Sequence, residues 1–166
     1  IRGEIARGEI YQANLTRRVV RTVALSDAPA LYQRLRAGSP TPFGAYVDAG
    51  SFRLLSASPE RFLRIADGCV ETRPIKGTRP RGRTPSEDAA LRAELLASAK
   101  DAAELLMIVD LERNDLGRVC ETGSVEVLDF PRVEGYSTVW HLVATVRARL
   151  GRDVSPARVL RAAFPG

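Results

Sequence analysis

The sequence predicts an α+β fold, and three observations carry that expectation. Short runs alternating between apolar and polar residues recur along the chain, bounded by Gly, Pro and Asp turn signals. Thr84-Pro85-Ser86-Glu87 is a capping box with proline at the first helical position, and it opens one long helical stripe. Strands dominate the remainder, with no internal repeat and no low-complexity tract.

The elements follow in order. Ile1–Gly8 reads as the tail of a helix ending at a glycine. Tyr11, Ala13 and Leu15 alternate with Gln12, Asn14 and Thr16, predicting a half-buried strand that extends through Val19–Leu25. Asp27-Ala28-Pro29 opens a short helix carrying Leu31, Tyr32 and Leu35, and Gly38–Pro42 is a turn-rich connector. Phe43–Asp48 and Phe52–Ser56 form one expected hairpin across Ala49-Gly50. Arg61–Ile65 and Val70–Thr72 form another across Asp67-Gly68. Arg73–Arg83 mixes Pro, Gly and basic residues without periodicity and reads as a loop. Beyond the capping box, Leu91, Leu95, Ser98, Ala102, Leu105 and Val109 mark one face of a single helix. Val125–Leu128 and Ser137–Leu150 are strands, and Ser155-Pro156 starts a last helix over Ala157–Ala163.

Composition narrows the function classes. With 166 residues, 45% hydrophobic and 27% charged, the chain is neither disordered nor fibrous, and one domain with a sizeable core fits. It has no apolar run long enough to span a membrane, and no signal-peptide pattern. Cys69 and Cys120 are too few for a disulfide framework and lack metal-ligand spacing, so a cytoplasmic setting is expected. The net charge is +5, and all but two of the 25 basic residues are arginine. They are scattered, and with 6% aromatic residues there is no basic stripe interleaved with stacking side chains, which argues against a nucleic-acid partner. A small anionic substrate fits the same charge.

Four residues could carry chemistry. Lys76 is a lone lysine among arginines beside Gly77, which lets a ligand approach the backbone. Neighbouring cations favour its neutral, nucleophilic amine, whereas the competing reading is a solvated surface turn. Glu104 precedes Leu105–Val109, a turn apolar all round and expected to be buried on every side. A carboxylate at its mouth is a candidate metal or proton site, against a simple i,i+4 pair with Lys100. Glu60 begins a strand after a proline turn, as a general acid or a surface carboxylate. His141, the only histidine, shares a strand face with Val139, Val143 and Thr145, where a satisfied core histidine is the competing reading. Val109–Asp115 is acidic but lacks calcium-loop spacing, so capping where the helix ends accounts for it. Phosphate loops, dinucleotide fingerprints and nucleophile elbows are absent.

Taken together, the motifs resemble the chorismate-utilising enzymes. Ile10–Leu15, Ser58-Pro59-Glu60-Arg61-Phe62, Arg73–Thr78, Leu106–Asp115 and Val139-Trp140-His141-Leu142 stand in that family's order, and Leu160–Gly166 resembles the run into its next glycine-rich motif. The resemblance implies an α/β sandwich of mainly antiparallel strands with one long helix. Gln12 stands where water-activating members have a lysine base, which implies an amine-using member. Lys76 stands where anthranilate-forming members have alanine. The implied reaction is therefore conversion of chorismate and ammonia to 4-amino-4-deoxychorismate, toward p-aminobenzoate and folate, with anthranilate formation as the alternative.

The same resemblance implies Glu60 as general acid and Lys76 as nucleophile. Gln12, Gly77, Thr78 and His141 become substrate contacts, Glu104 a ligand of Mg²⁺, and a glutamine amidotransferase the partner that supplies ammonia. Ala102 stands where close relatives often have arginine. The family's second metal-binding glutamate, its glycine-rich carboxylate loop and a substrate-binding arginine belong to motifs beyond Gly166. Residues 1–166 are accordingly expected to be the N-terminal and central part of the catalytic domain, truncated at its C-terminal end and inactive alone, or else a piece that only binds.

Overall fold

A computed structural model describes residues 1–10, 13, 15–22 and 24–165. Helix α1 (Arg2–Ala6) ends as its glycine predicts. Gly8, at φ +75°, lets its own N–H and that of Glu9 reach back to the carbonyls of Ile5 and Glu4, both at 3.0 Å. The strand expected next does not form among the described residues. Leu15 is 91% exposed, and Val19 and Val20 also face solvent. Tyr11, Gln12 and Asn14 lie outside the described residues. Alternation yields a strand only where a partner ladder and an apolar surface receive it, and none of the described strands pairs with this run.

A 3-10 turn (Leu25–Asp27) leads into α2 (Ala28–Gly38) with Pro29 in its first turn. Strands β1 (Phe43–Asp48) and β2 (Arg53–Ser58) pair antiparallel as a separate hairpin. Helix α2 rests on it, with the Tyr32 and Tyr46 rings 5.7 Å apart.

The main sheet contains β3 (Arg61–Ala66), β4 (Cys69–Arg73), β5 (Ile75–Pro80), β6 (Glu126–Gly135) and β7 (Val139–Arg149), all antiparallel. Strand β7 is its axis. One edge of β7 pairs with β6, and the other is shared end to end by β4 and β5. The Pro74 carbonyl between those two accepts from Ala144 N–H at 3.2 Å. The loop expected over 73–83 is therefore a strand for most of its length. Pro74 and Pro80, lacking N–H groups, fall outside the ladder or at its last rung, and Gly77 at φ +69° shifts the register between Lys76 and Thr78. Both features erase the period of two without breaking the pairing. Strand β6 likewise outruns its expected Val125–Leu128 by passing a bulge between Leu128 and Arg132.

The single long helix is in fact two, α3 (Pro85–Ala97) and α4 (Ala99–Gly117). Thr84 Oγ1 caps α3 by accepting from Glu87 N–H at 3.2 Å. Ser98 leaves helical geometry at ψ 99°, and its Oγ accepts from Asp101 N–H at 3.2 Å, so the residue assigned to the stripe is the cap of α4. The stripe itself is continuous across the break. Leu95, Leu105, Val109 and Leu116 pack on Val70, Leu142, Ala144, Val146 and Ala148 of the sheet. Val159 of α5 (Pro156–Ala163) closes one end. Each buried Leu contributes about 1.5–3 kcal/mol relative to exposure. The turn after Glu104 is not buried on every side, since Leu106 is 54% exposed on the flank of α4 away from the sheet.

Candidate active site

Strand β5 is the element around which the expected residues gather. Glu60, in the turn between β2 and β3, accepts at Oε1 from Ile75 N–H at 2.7 Å, which brings its carboxylate to the residue beside Lys76. Two residues on, Thr78 pairs with His141 across the β5–β7 ladder. His141 Nδ1 lies 3.1 Å from Thr78 Oγ1 and 3.3 Å from the Gly77 carbonyl. A carbonyl only accepts, so the latter bond puts a hydrogen on Nδ1. The Tyr136 ring meets the imidazole edge-on at 5.4 Å. His141 is half-buried, but it stands on the face of β7 opposite Leu142, Ala144 and Val146, so it is not a core histidine.

Gly77 is required here for space as well as for its positive φ. A Cβ on it would lie 2.8 Å from Asp101 Cβ and 2.9 Å from Leu95 Cδ1. The first turn of α4 is thus pressed against the backbone of β5. Asp101, only 8% exposed, pairs with Arg79 at 3.3 Å, and Arg79 also donates to Glu94 at 2.6 Å. Those carboxylates, Glu94 foremost, hold the Arg79 guanidinium even more firmly protonated than usual.

Glu104 lies one turn beyond Asp101 and pairs with the exposed Lys100 ammonium at 3.6 Å. Half-exposed, its carboxylate offers the hard oxygens that Mg²⁺ takes, which fits one ligand of such an ion. Among the described residues no three His, Cys, Asp or Glu side chains form a metal-binding group, so Glu104 is at most one member of a set. Gln12 lies outside the described residues.

Two carboxylates escaped the sequence reading. Glu112 of α4 receives a hydrogen bond from Thr72 Oγ1 at 3.2 Å, while its Oε2 is buried with no partner among the described residues. Burial, reinforced by Glu60 and Asp115 and opposed by Thr72 and Lys76, pushes its carboxyl up to about 7. In the sequence it belongs to the acidic run Val109–Asp115, for which helix capping is the expectation, although its spacing of seven residues from Leu105 places it beside the buried stripe. Asp88 of α3 is the second. It accepts from Arg81 Nε and Nη2 at 2.8 and 2.7 Å, from Gly82 N–H at 2.8 Å and from Trp140 Nε1 at 2.9 Å. These donors, Arg81 foremost, hold its carboxyl far below the ordinary range.

A carboxylate, a primary amine, an imidazole and a glycine-opened backbone therefore lie along β5, Lys76 opposite Leu142 on the core face and Thr78 with His141 on the other. The whole chain, residues 1–166, matches the family profile described as chorismate binding enzyme, and the chain belongs to that family. An aminodeoxychorismate synthase of Streptomyces pristinaespiralis is 54% identical over 98% of this chain. An anthranilate synthase component 1 of Spirochaeta aurantia is 46% identical over 99% of it. Those matches cover 22% and 34% of the two relatives, so the chain spans a fifth to a third of their length. The crystal structure of anthranilate synthase component I from Streptococcus pneumoniae TIGR4 superposes with a TM-score of 0.74 at 35% identity, covering 88% of this chain and 31% of that one. The resemblance read from the motifs and the α+β fold expected from the patterning both hold.

Proposed function

We propose that this chain carries the amine-transferring centre of an enzyme converting chorismate and ammonia to 4-amino-4-deoxychorismate, and that it forms the N-terminal and central part of that catalytic domain. The observation that supports the reading is Lys76 in β5, flanked in the chain by Ile75, whose N–H holds the Glu60 carboxylate, and by Gly77, whose carbonyl meets His141.

Glu60 donates a proton to the 4-hydroxyl of the ring, because an allylic hydroxide leaves poorly unless protonated. The neutral Lys76 amine attacks C2, the ring double bond shifts, and the C4–O bond breaks to release water. Ammonia then adds at C4, the double bond shifts back, the C2–N bond to Lys76 breaks to restore the lysine, and the new C4 ammonium returns a proton to Glu60. Gly77 and Thr78 bind the ring carboxylate, partly through backbone, and His141 orients the ring from the neighbouring strand. Gln12 completes the substrate contacts and, being an amide, does not activate water. Glu104 would hold one coordination position of Mg²⁺, whose charge neutralises the ring carboxylate when bound. Ammonia comes from a glutamine amidotransferase partner, and a cytoplasmic setting suits that small-molecule chemistry. No helix among the described residues is long and apolar enough to cross a membrane.

The test is an assay of the intact protein containing this chain, with chorismate, Mg²⁺ and ammonium. Aminodeoxychorismate is the expected product, and Lys76→Ala should reduce its formation by two orders of magnitude or more, as loss of a covalent nucleophile does. Anthranilate as the main product would overturn the reading in favour of the second one, which the Spirochaeta aurantia relative supports. Turnover by residues 1–166 alone would remove the expectation that this piece is inactive by itself.

A further inference from the structure

In an unbroken strand Lys76 and Thr78 would share a face, because residues two apart point the same way. In β5 they do not. Lys76 is opposite Leu142 and Thr78 is opposite His141, which are consecutive residues of β7. The extra residue, Gly77, thus turns Lys76 toward the helices and leaves Thr78 with His141 on the other face. Where the amine stands relative to that pair is decided by the bulge.

The bulge is held from both faces. On one, the Gly77 carbonyl meets His141 Nδ1 at 3.3 Å. On the other, Asp101 fills the space that a Gly77 side chain would need, with its Cβ and Cγ 2.8 and 2.9 Å from where a Cβ would stand. Glycine is the residue freest to leave its φ of +69°, so the conformation depends on these outside contacts. Asp101 is itself clamped. Ser98 Oγ accepts from its N–H at 3.2 Å, and its carboxylate pairs with Arg79 at 3.3 Å. Arg79 is opposite Trp140, hence on the same helix-facing side of β5 as Lys76. It also donates to Glu94 of α3 at 2.6 Å, so one guanidinium ties both helices to β5 across the break at Ser98.

We propose that Asp101 is a positioning residue for Lys76: clamped by Arg79, its side chain props the Gly77 bulge and so sets where the amine stands relative to Thr78 and His141. The proposal rests on Lys76 being the nucleophile. Neither Asp101 nor Arg79 exchanges a proton or forms a bond in the reaction; what they supply is placement, and misplacing a reacting group by about 1 Å costs on the order of a hundredfold in rate.

The experiment compares two substitutions in the intact protein. Asp101→Ala removes both prop and clamp and should lower kcat about tenfold to a hundredfold. Asp101→Asn keeps the shape and an oxygen that accepts from Arg79, and should stay within about threefold of the parent. The nitrogen-15 resonance of His141 Nδ1, assigned by its loss in His141→Gln, should move in Asp101→Ala and hold its place in Asp101→Asn. A parental kcat or an unmoved resonance in Asp101→Ala would overturn the proposal, and so would an Asn variant as impaired as the Ala one, since charge and not shape would then be what matters. Arg79→Met frees Asp101 from β5 without altering it. It should lower kcat over the same range and add little to Asp101→Ala when the two are combined, whereas a parental kcat in Arg79→Met would overturn the proposal even if Asp101→Ala does not fold. Failure of the underlying reading looks different, because Lys76→Ala would then keep full product formation while the Nδ1 resonance still moved in Asp101→Ala.

Discussion

Asp88 and Glu112 are both partly shielded carboxylates held between the sheet and its helices, yet the fold treats them in opposite ways. Asp88 receives four N–H groups from Arg81, Gly82 and Trp140, and it stays ionised under any ordinary condition. Glu112 receives one hydroxyl, keeps an oxygen buried without a partner, and is pushed up to about 7. Burial is what lifts Glu112, its one donor being too few to offset it, whereas at Asp88 the donors outweigh desolvation. A carboxylate given its full set of donors is a tie: Asp88 fastens α3 to the start of β7, with the Arg81 guanidinium stacked 4.3 Å from the Trp140 ring centroid. A carboxylate deprived of them holds a proton near neutrality, and Glu112 does so on the side of the sheet toward which Lys76 points.

Removing the tie should produce the largest effect on stability. Asp88→Asn keeps the shape but has a single acceptor oxygen, leaving Arg81 without its bidentate partner. The thermal midpoint at pH 7 is expected to fall by several degrees. Since folding lowers the Asp88 pKa, its contribution is present above the ordinary carboxylate range and is lost as pH falls through that range toward the folded value. The variant should therefore lose part of the acid limb of its stability curve. A midpoint equal to the parent's would show that the Arg81–Trp140 stack holds the corner without the carboxylate.

The second way to break the comparison is to make Glu112 unable to titrate. Its folded pKa is raised from 4.5 to about 7, so between those values the folded state binds the extra proton. Stability should accordingly fall as pH rises from 4.5 through 7, by roughly 3 to 3.5 kcal/mol in total. Glu112→Gln should be flat over the same window and gain on the parent at pH 8, as followed by urea unfolding at stepped pH. A parent curve that rises from pH 4.5 to 8 would mean that Glu112 is solvated in solution.

The two carboxylates also mark where the sequence was legible and where it was not. Hairpins at Ala49-Gly50 and Asp67-Gly68, the Thr84 cap and the last helix follow from local chemistry, and each is present. Strand formation depends on partners far away in the chain. The alternating run at residues 13–22 finds none among the described strands, whereas the aperiodic Ile75–Pro80 is held in place by β7. Ser98 was legible as part of a stripe but acts as a cap, because one serine hydroxyl competes successfully with helix propagation there. Glu60, Lys76, Gly77, Thr78 and His141 were named from motifs and are brought to one strand pair. Asp88 and Glu112 were missed because a carboxylate's character lies in its donors, which come from residues 6 to 52 positions away from Asp88 and 40 from Glu112.

The finest test leaves Glu112 in place and withdraws its one donor. Thr72→Val is nearly isosteric at a site 3% exposed, so the core keeps its volume while the hydroxyl disappears. The Thr72 bond favours the ionised carboxylate, and without it the Glu112 midpoint should rise above about 7, by less than one unit. Glu112 would then differ from Asp88 as far as this fold allows, with none of its donors against four. In a double-mutant cycle of urea unfolding at pH 8, Thr72→Val should cost less stability in the Glu112→Gln background than in the parent, because only the carboxylate needs that hydroxyl to bear its charge. Equal costs would mean that Thr72 contributes through packing alone, and the separation between the two carboxylates would then rest on burial without help from the hydrogen bond.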